Sequence, residues 1–359
     1  MSDRQCRTHA TVLAIACVGT LLIGSRAARG AANDLRLINL CDQTTGVGCS
    51  WVVKSPTGNS VDLARDPSAP ERFRSLMSEL GVAIAPRLQT PADTLGFAGF
   101  QLSAELGMTQ ISRDKAFWNA IEGVDAANPS AHRPDAWLTT LGGFVRKGLF
   151  LPVSMIELGA GAVNVLHSQM WAMQGYAKIA LHEGFHDWPL PSLAVRGGFS
   201  RLIGTDQVAL TVGSVDVLVS KAFSVSGTAR LEPFGGWDFL FISAKSGVID
   251  GTPGCDAARL QRTDPKDPAA ILAIGPQCDA RQAGTAGDYG SNFSFPSQSA
   301  ITRHRIYGGF KLRLHKLFAV LEGALSPAGR SRDKNSPQLS ARDNSGSQQS
   351  YSLSTGFDF

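Results

Sequence analysis

The chain is poor in several things, and each shortage removes a class of protein. Beyond residue 24 no stretch approaches the roughly twenty consecutive apolar residues that a spanning helix needs, so a helical membrane domain is not expected. Excess charge is small, +4 over 359 residues, which argues against a nucleic-acid partner. Cysteine is scarce too: there are six, and no two stand in a Cys-x-x-Cys spacing, so a zinc site of that kind is not expected. Neither a cofactor nor a metal is called for.

At the N-terminus Arg4 and Arg7 precede an apolar run, Thr11 to Gly24, that is too short to span. Small residues follow, with Gly30-Ala31-Ala32 a cleavage site before Asn33 and Ser25-Arg26-Ala27 a second option. A basic start, a short apolar core and a small-residue site describe a secretory signal peptide over residues 1–32. The four cysteines beyond it, Cys41, Cys49, Cys255 and Cys278, suit an oxidising compartment. Of the three pairings that four cysteines allow, the local one, 41–49 with 255–278, is expected.

The other end carries the most informative stretch. Tyr351, Leu353, Thr355, Phe357 and Phe359 fall on alternate positions and the sequence stops on an aromatic. Strand side chains alternate between faces, so one face is apolar while Ser352, Ser354, Gly356 and Asp358 share the other. An exposed aromatic edge invites aggregation in water, whereas a strand that closes a barrel in lipid has no edge. With the signal peptide, this strand resembles the closing strand of Gram-negative outer-membrane β-barrels. That resemblance implies an all-β fold, an antiparallel up-and-down transmembrane barrel. It also implies placement in the outer membrane with both termini in the periplasm. The partners it implies are membrane lipid and a barrel-assembly machinery that reads Tyr351, Leu353, Phe357 and Phe359.

Between the ends, residues 33–92 differ from 93–359. They hold the first cysteine pair and one helix: Ser68-Ala69-Pro70-Glu71 start it, Phe73, Leu76, Met77 and Leu80 recur at helical spacing, and Gly81 ends it. The expectation is a short periplasmic segment folded into or against the barrel. From residue 95 onward alternation dominates, as in Phe100, Leu102, Ala104, Leu106 and Met108. About ten strands are expected, with twelve as the alternative, near 100–109, 137–147, 152–165, 171–181, 193–203, 208–222, 228–243, 300–314, 317–325 and 350–359. Tight turns at 224–227 and 315–316 alternate with long connections at about 112–135, 244–299 and 326–349. In a barrel with periplasmic termini the long ones lie outside.

Three motifs bear on function. His182-Glu183-Gly184-Phe185-His186 matches the zinc-protease pattern, but that pattern works on a helix, and here it follows strict strand alternation and meets Pro189 and Pro191. It reads as a turn. His132 and His167, with Asp114 and Asp135 nearby, could sit at a rim as in barrel hydrolases; no lipase or protease motif accompanies them, and an enzyme is not expected. Most useful is the row Arg303, Arg305, Tyr307, Lys311 and Arg313, opposite Ile306, Phe310, Leu312 and Leu314. Facing inward, its cations form either an anion-selective ladder or one side of an ion-pair network with Glu105, Glu157, Glu232, Asp238 and Glu322. The leading expectation is a narrow porin-like channel for small solutes, anionic if Arg303, Arg305, Lys311 and Arg313 line the path. Its rival is a non-conducting adhesion or structural barrel acting through external loops, with a membrane-barrel hydrolase a minor third.

Overall fold

Alternation in the sequence becomes a closed sheet in the structure, a computed structural model that describes residues 31–41, 68–124, 133–149, 155–184, 190–250, 292–332 and 341–359. Ten strands make the wall: β1 Phe100–Gln110, β2 Trp137–Leu149, β3 Ile156–Val165, β4 Trp171–His182, β5 Ser192–Ile203, β6 Val208–Ser220, β7 Ala229–Ser246, β8 Gln298–Leu314, β9 Leu317–Ser326 and β10 Gln348–Asp358. Each pairs antiparallel with its neighbour in sequence, and β10 pairs with β1 in the register Leu102↔Phe357 and Leu106↔Leu353, so the sheet has no open edge. The seam is finished by the last residue: Phe100 donates its N–H to the Phe359 carbonyl at 3.1 Å and Phe359 returns one at 2.8 Å. A four-residue strand, Phe223–Ser226, folds onto β7 where a simple turn was expected.

The two rims differ. At the turn end the chain finishes beside β1, and the β8–β9 hairpin turns through His315 and Lys316, with His315 at φ 56°, the left-handed geometry of a two-residue hairpin. The loop end carries the long connections 111–136, 247–297 and 327–347.

Side chains sort by face as the period of two requires. On β1, Leu102, Leu106 and Met108 point out, 38–43% exposed, while Ser103, Glu105 and Thr109 point in, at most 4% exposed. Aromatic pairs mark the rims. Trp137 and Tyr351 lie 5.8 Å apart toward the loop end, and Phe100 and Phe357 each 6.1 Å from Phe359 at the turn end. Lys147 on β2 and Arg201 on β5 sit on outward rows near strand ends, the latter donating to Thr211 at 2.8 Å, while outward-facing His304 on β8 is covered by Trp237, 5.5 Å away. A charge at the midplane would cost about 2–4 kcal/mol, falling toward the interfaces.

The N-terminal segment takes the inward of its two expected positions, but at the loop end. Its helix, α1 (Ala69–Ala83), lies inside the barrel at the loop end, with thirteen of fifteen residues buried; a surface helix would bury one stripe. It runs two residues past Gly81, whose place is set by packing rather than by the helix end: a Cβ there would lie 2.6 Å from Ile242. Residues 84–95, here called the strap, then pass down the lumen with neither helix nor strand structure and enter β1 at the turn end. Ahead of α1, residues 31–41 are tied to the loop end. Asn33 donates to the His167 carbonyl (2.9 Å), Leu37 to Gln207 Oε1 (2.9 Å) and Asn39 to the Asn119 carbonyl (3.0 Å). Both chain ends were expected on one side; residues 31–41 and Phe359 instead lie at opposite rims, with the lumen segment between them. Cys41 is buried at the loop end, while Cys49, Cys255 and Cys278 fall outside the described residues, and so do the expected pairings.

Candidate functional site

The lumen is the site to build, since every inward row converges there. Its loop-end half is packed like the core of a soluble protein. Phe73, Leu76, Met77 and Leu80 of α1 meet Trp118, Ile242 and Phe295, with Phe73 stacked on Phe295 at 4.9 Å. The polar groups of α1 are each spoken for. Glu79 accepts from the Trp118 indole (2.7 Å) and from the backbone N–H of Ser112 (2.9 Å) and Gly346 (2.8 Å). Ser78 donates to Asp343 (2.7 Å), and Arg74 reaches Gln298 (3.0 Å), the Ala300 carbonyl (3.2 Å) and Ser331 (3.0 Å).

The turn-end half is wired by charge. Arg196 grips Asp216 through two 2.9 Å bonds, and Tyr307 donates to the same carboxylate at 2.7 Å. Arg146 pairs with Glu105 and donates to Ser103 (2.6 Å). Glu157 takes Lys178 (3.2 Å) and the Tyr176 hydroxyl (2.7 Å), and Arg305 takes Asp238 (2.6 Å). Two glycines let the large side chains lie flat against the wall. Gly159 sits under the Tyr176 ring, and a Cβ on Gly236 would lie 2.7 Å from the Tyr307 hydroxyl.

These cations hold the strap as well as their carboxylates. Gln174 donates to the carbonyls of Ile84 (2.9 Å) and Ala85 (3.2 Å), Arg305 to that of Pro86 (3.0 Å) and Arg196 to that of Leu88 (3.3 Å). Lys178 donates to the Pro91 and Asp93 carbonyls, both at 2.9 Å. The strap answers with Arg87 on Thr140 and Asp93 on Arg230 (2.9 Å), and Thr94 donates to Glu183 through its N–H (3.0 Å) and hydroxyl (2.6 Å).

The cation row reads differently along its length. Arg303 is buried on α1 and the β9–β10 connection, donating to Ser78 (2.9 Å), Ser345 (2.7 Å) and the Pro327 and Gly346 carbonyls. Arg305 is spent on Asp238 and the strap. Lys311 pairs with Asp358 at 3.0 Å, and exposed Arg313 stands at the turn-end mouth. There a polar cavity of about 110 Å³ opens, lined by Lys178, Arg230, Lys311 and Arg313 but also by Asp93, Glu157, Glu232 and Asp358. Among the expected acids, Asp238 meets a member of the row; Glu105, Glu157 and Glu232 meet Arg146, Lys178 and Arg230 instead.

Other expected groups are placed too. His182 ends β4 as strand rather than helix, Glu183 binds the strap, and His186 is outside the described residues. Asp114 pairs with Arg133 at 2.6 Å, His167 sits in the β3–β4 turn, and His132 is outside the described residues. Sequence reasoning missed Arg196, Asp216 and Arg146, although all three fall on inward rows of alternating strands. It also missed Arg87 and Glu79, which no periodicity marks as facing a wall.

No family model matches the sequence, and no curated protein matches it. Solved structures that resemble the fold include Ail, the attachment invasion locus protein of Yersinia pestis (9% identity, 73% of this chain and 99% of that one, TM-score 0.23). Others are the outer membrane protease OmpT from Escherichia coli (7%, 73% and 95%, 0.30) and the translocator domain of autotransporter NalP from Neisseria meningitidis (10%, 82% and 96%, 0.29). What places the chain is its own construction. A sheet without an edge that turns hydrocarbon outward and ion pairs inward is built as a transmembrane β-barrel must be, and the fold is a closed ten-stranded antiparallel barrel.

Proposed function

We propose that the protein is a barrel closed at rest by its own N-terminal segment, which acts at the membrane surface through its loop end rather than as an open pore. The loop end faces outward in this reading and Phe359 faces the periplasm, where the closing strand serves the assembly machinery. The observation that carries it is the strap: six of its carbonyls accept hydrogen bonds from buried lumen side chains. Bonds to charged groups are worth about 1.5–3 kcal/mol each, and withdrawing the strap would leave Arg196, Arg305 and Lys178 short of acceptors. Ten strands also leave little lumen to spare, since eight are filled by side chains alone and open channels come at sixteen or more. No enzymatic step is proposed.

The porin-like reading survives in a narrower form, favoured by the turn-end cavity. If the strap were displaced, Arg305 and Lys178 would join Lys311 and Arg313 in lining the path, and an anion preference would follow. Planar-bilayer recording of the refolded mature chain separates the two. Silence from the native chain, and anion-preferring steps once residues 69–92 are deleted, support closure at rest. Discrete steps from the native chain that shrink when Arg303, Arg305, Lys311 and Arg313 are neutralised would sink it.

A further inference from the structure

We propose that the barrel carries its own N-terminal segment across the membrane, so that residues 31–41 are displayed at the cell surface. The proposal rests on the orientation given above, with the loop end outside, and adds a path that no periodicity in the sequence reveals.

β4 serves as a ruler for that path. It runs from the loop end at Trp171 to the turn end at His182. The strap carbonyls at Ile84 and Ala85 meet Gln174, those at Pro91 and Asp93 meet Lys178, and Thr94 meets Glu183. Strap and strand therefore run in the same direction from one rim to the other, though in unequal steps. Twelve residues, 84–95, reach at most about 40–43 Å when extended, enough to cross an apolar band of about 25 Å only without coiling. The absence of helix or strand over these residues, and the side-chain capture of their carbonyls, fit a chain drawn out along the axis.

The upper end is anchored independently. Arg74 of α1 bonds the start of β8 at Gln298 and Ala300, and Glu79 bonds the β1–β2 and β9–β10 connections at Ser112 and Gly346. Residues 33–39 add bonds to the β3–β4, β5–β6 and β1–β2 connections through His167, Gln207 and Asn119. Nothing in this set of contacts reaches the turn end. A periplasmic N-terminus would require all of them to be broken and the chain to double back through a lumen that α1 and the strap already occupy.

The test is accessibility in intact cells. Epitope tags are placed ahead of Asn33, in the β5–β6 connection at Thr205, and in the β6–β7 turn at Gly227, and probed with antibody before and after permeabilisation. The expected result is labelling of the first two in intact cells and of the third only after permeabilisation. A Thr205 tag accessible in intact cells with an N-terminal tag that is not would overturn the proposal and leave the orientation standing. If Gly227 is accessible and Thr205 is not, the orientation fails and surface display fails with it. Arg36→Cys, labelled by a membrane-impermeant maleimide above the native-cysteine background, asks the same question without an inserted tag; at least a fivefold gain in intact cells supports display, and no gain overturns it.

Discussion

The two halves of the lumen are filled by different physics. Around α1 the packing is mainly apolar, with one hydrogen-bonded cluster at Ser78, Arg303, Asp343 and Ser345; around the strap it is ionic, with carboxylates and cations alternating through Arg196–Asp216, Arg305–Asp238, Lys178–Glu157 and Arg146–Glu105. A helix satisfies its own backbone and can be packed by hydrocarbon. An extended strap cannot, and six of its carbonyls take a donor from the wall. Arg196, Arg305 and Lys178 are thus accounted for by the strap carbonyls they hold, without invoking solute selection.

Breaking the ionic half should have the largest effect. Arg196→Ala strands Asp216 in a buried site and is expected to cost about 3–5 kcal/mol, read as a lower unfolding temperature in detergent. Removing both partners, Arg196→Ala with Asp216→Ala, should cost less than the sum of the singles. In the apolar half, Leu76→Ala should cost about 2–5 kcal/mol by cavity formation, with no dependence on salt. Gly159→Ala probes the wall between them: a methyl under the Tyr176 ring should cost about 1–3 kcal/mol and disturb the Glu157–Lys178 pair. Smallest should be Arg313→Gln, within ~0.5 kcal/mol on unfolding, because that side chain stands exposed at the mouth. If Arg313→Gln destabilised as much as Arg196→Ala, the division between wired interior and solvated mouth would be wrong.

The wall was legible because alternation is a local property. Ten strands could be read from rows such as Phe100 to Met108 and Tyr351 to Phe359, since a period of two in lipid admits few other meanings. The helix was legible for the same reason, from Phe73, Leu76, Met77 and Leu80. Which of its two expected positions it takes was not. A helix packed all round by a barrel and one lying on a surface begin with the same cap and stripe, and only burial of Arg74, Ser78 and Glu79 tells them apart. The strap was invisible because Ile84 to Leu95 is held through its backbone carbonyls, which every sequence carries alike. The cation row was found, but its individual pairings were not: Arg305 meets Asp238 of the expected acids, while Lys311 meets Asp358 from β10, which was not among them.

The strap's junction with the wall gives its binding a kinetic character. Leu95 lies five residues before Phe100, so the strap is tethered to the lumen it fills. A short flexible tether corresponds to an effective concentration in the millimolar range. A solute of equal intrinsic affinity for Arg196, Arg305 and Lys178 must match that concentration merely to draw level. Any opening would then be brief, with the strap rebinding at a rate set by its tether and not by its abundance in the cell.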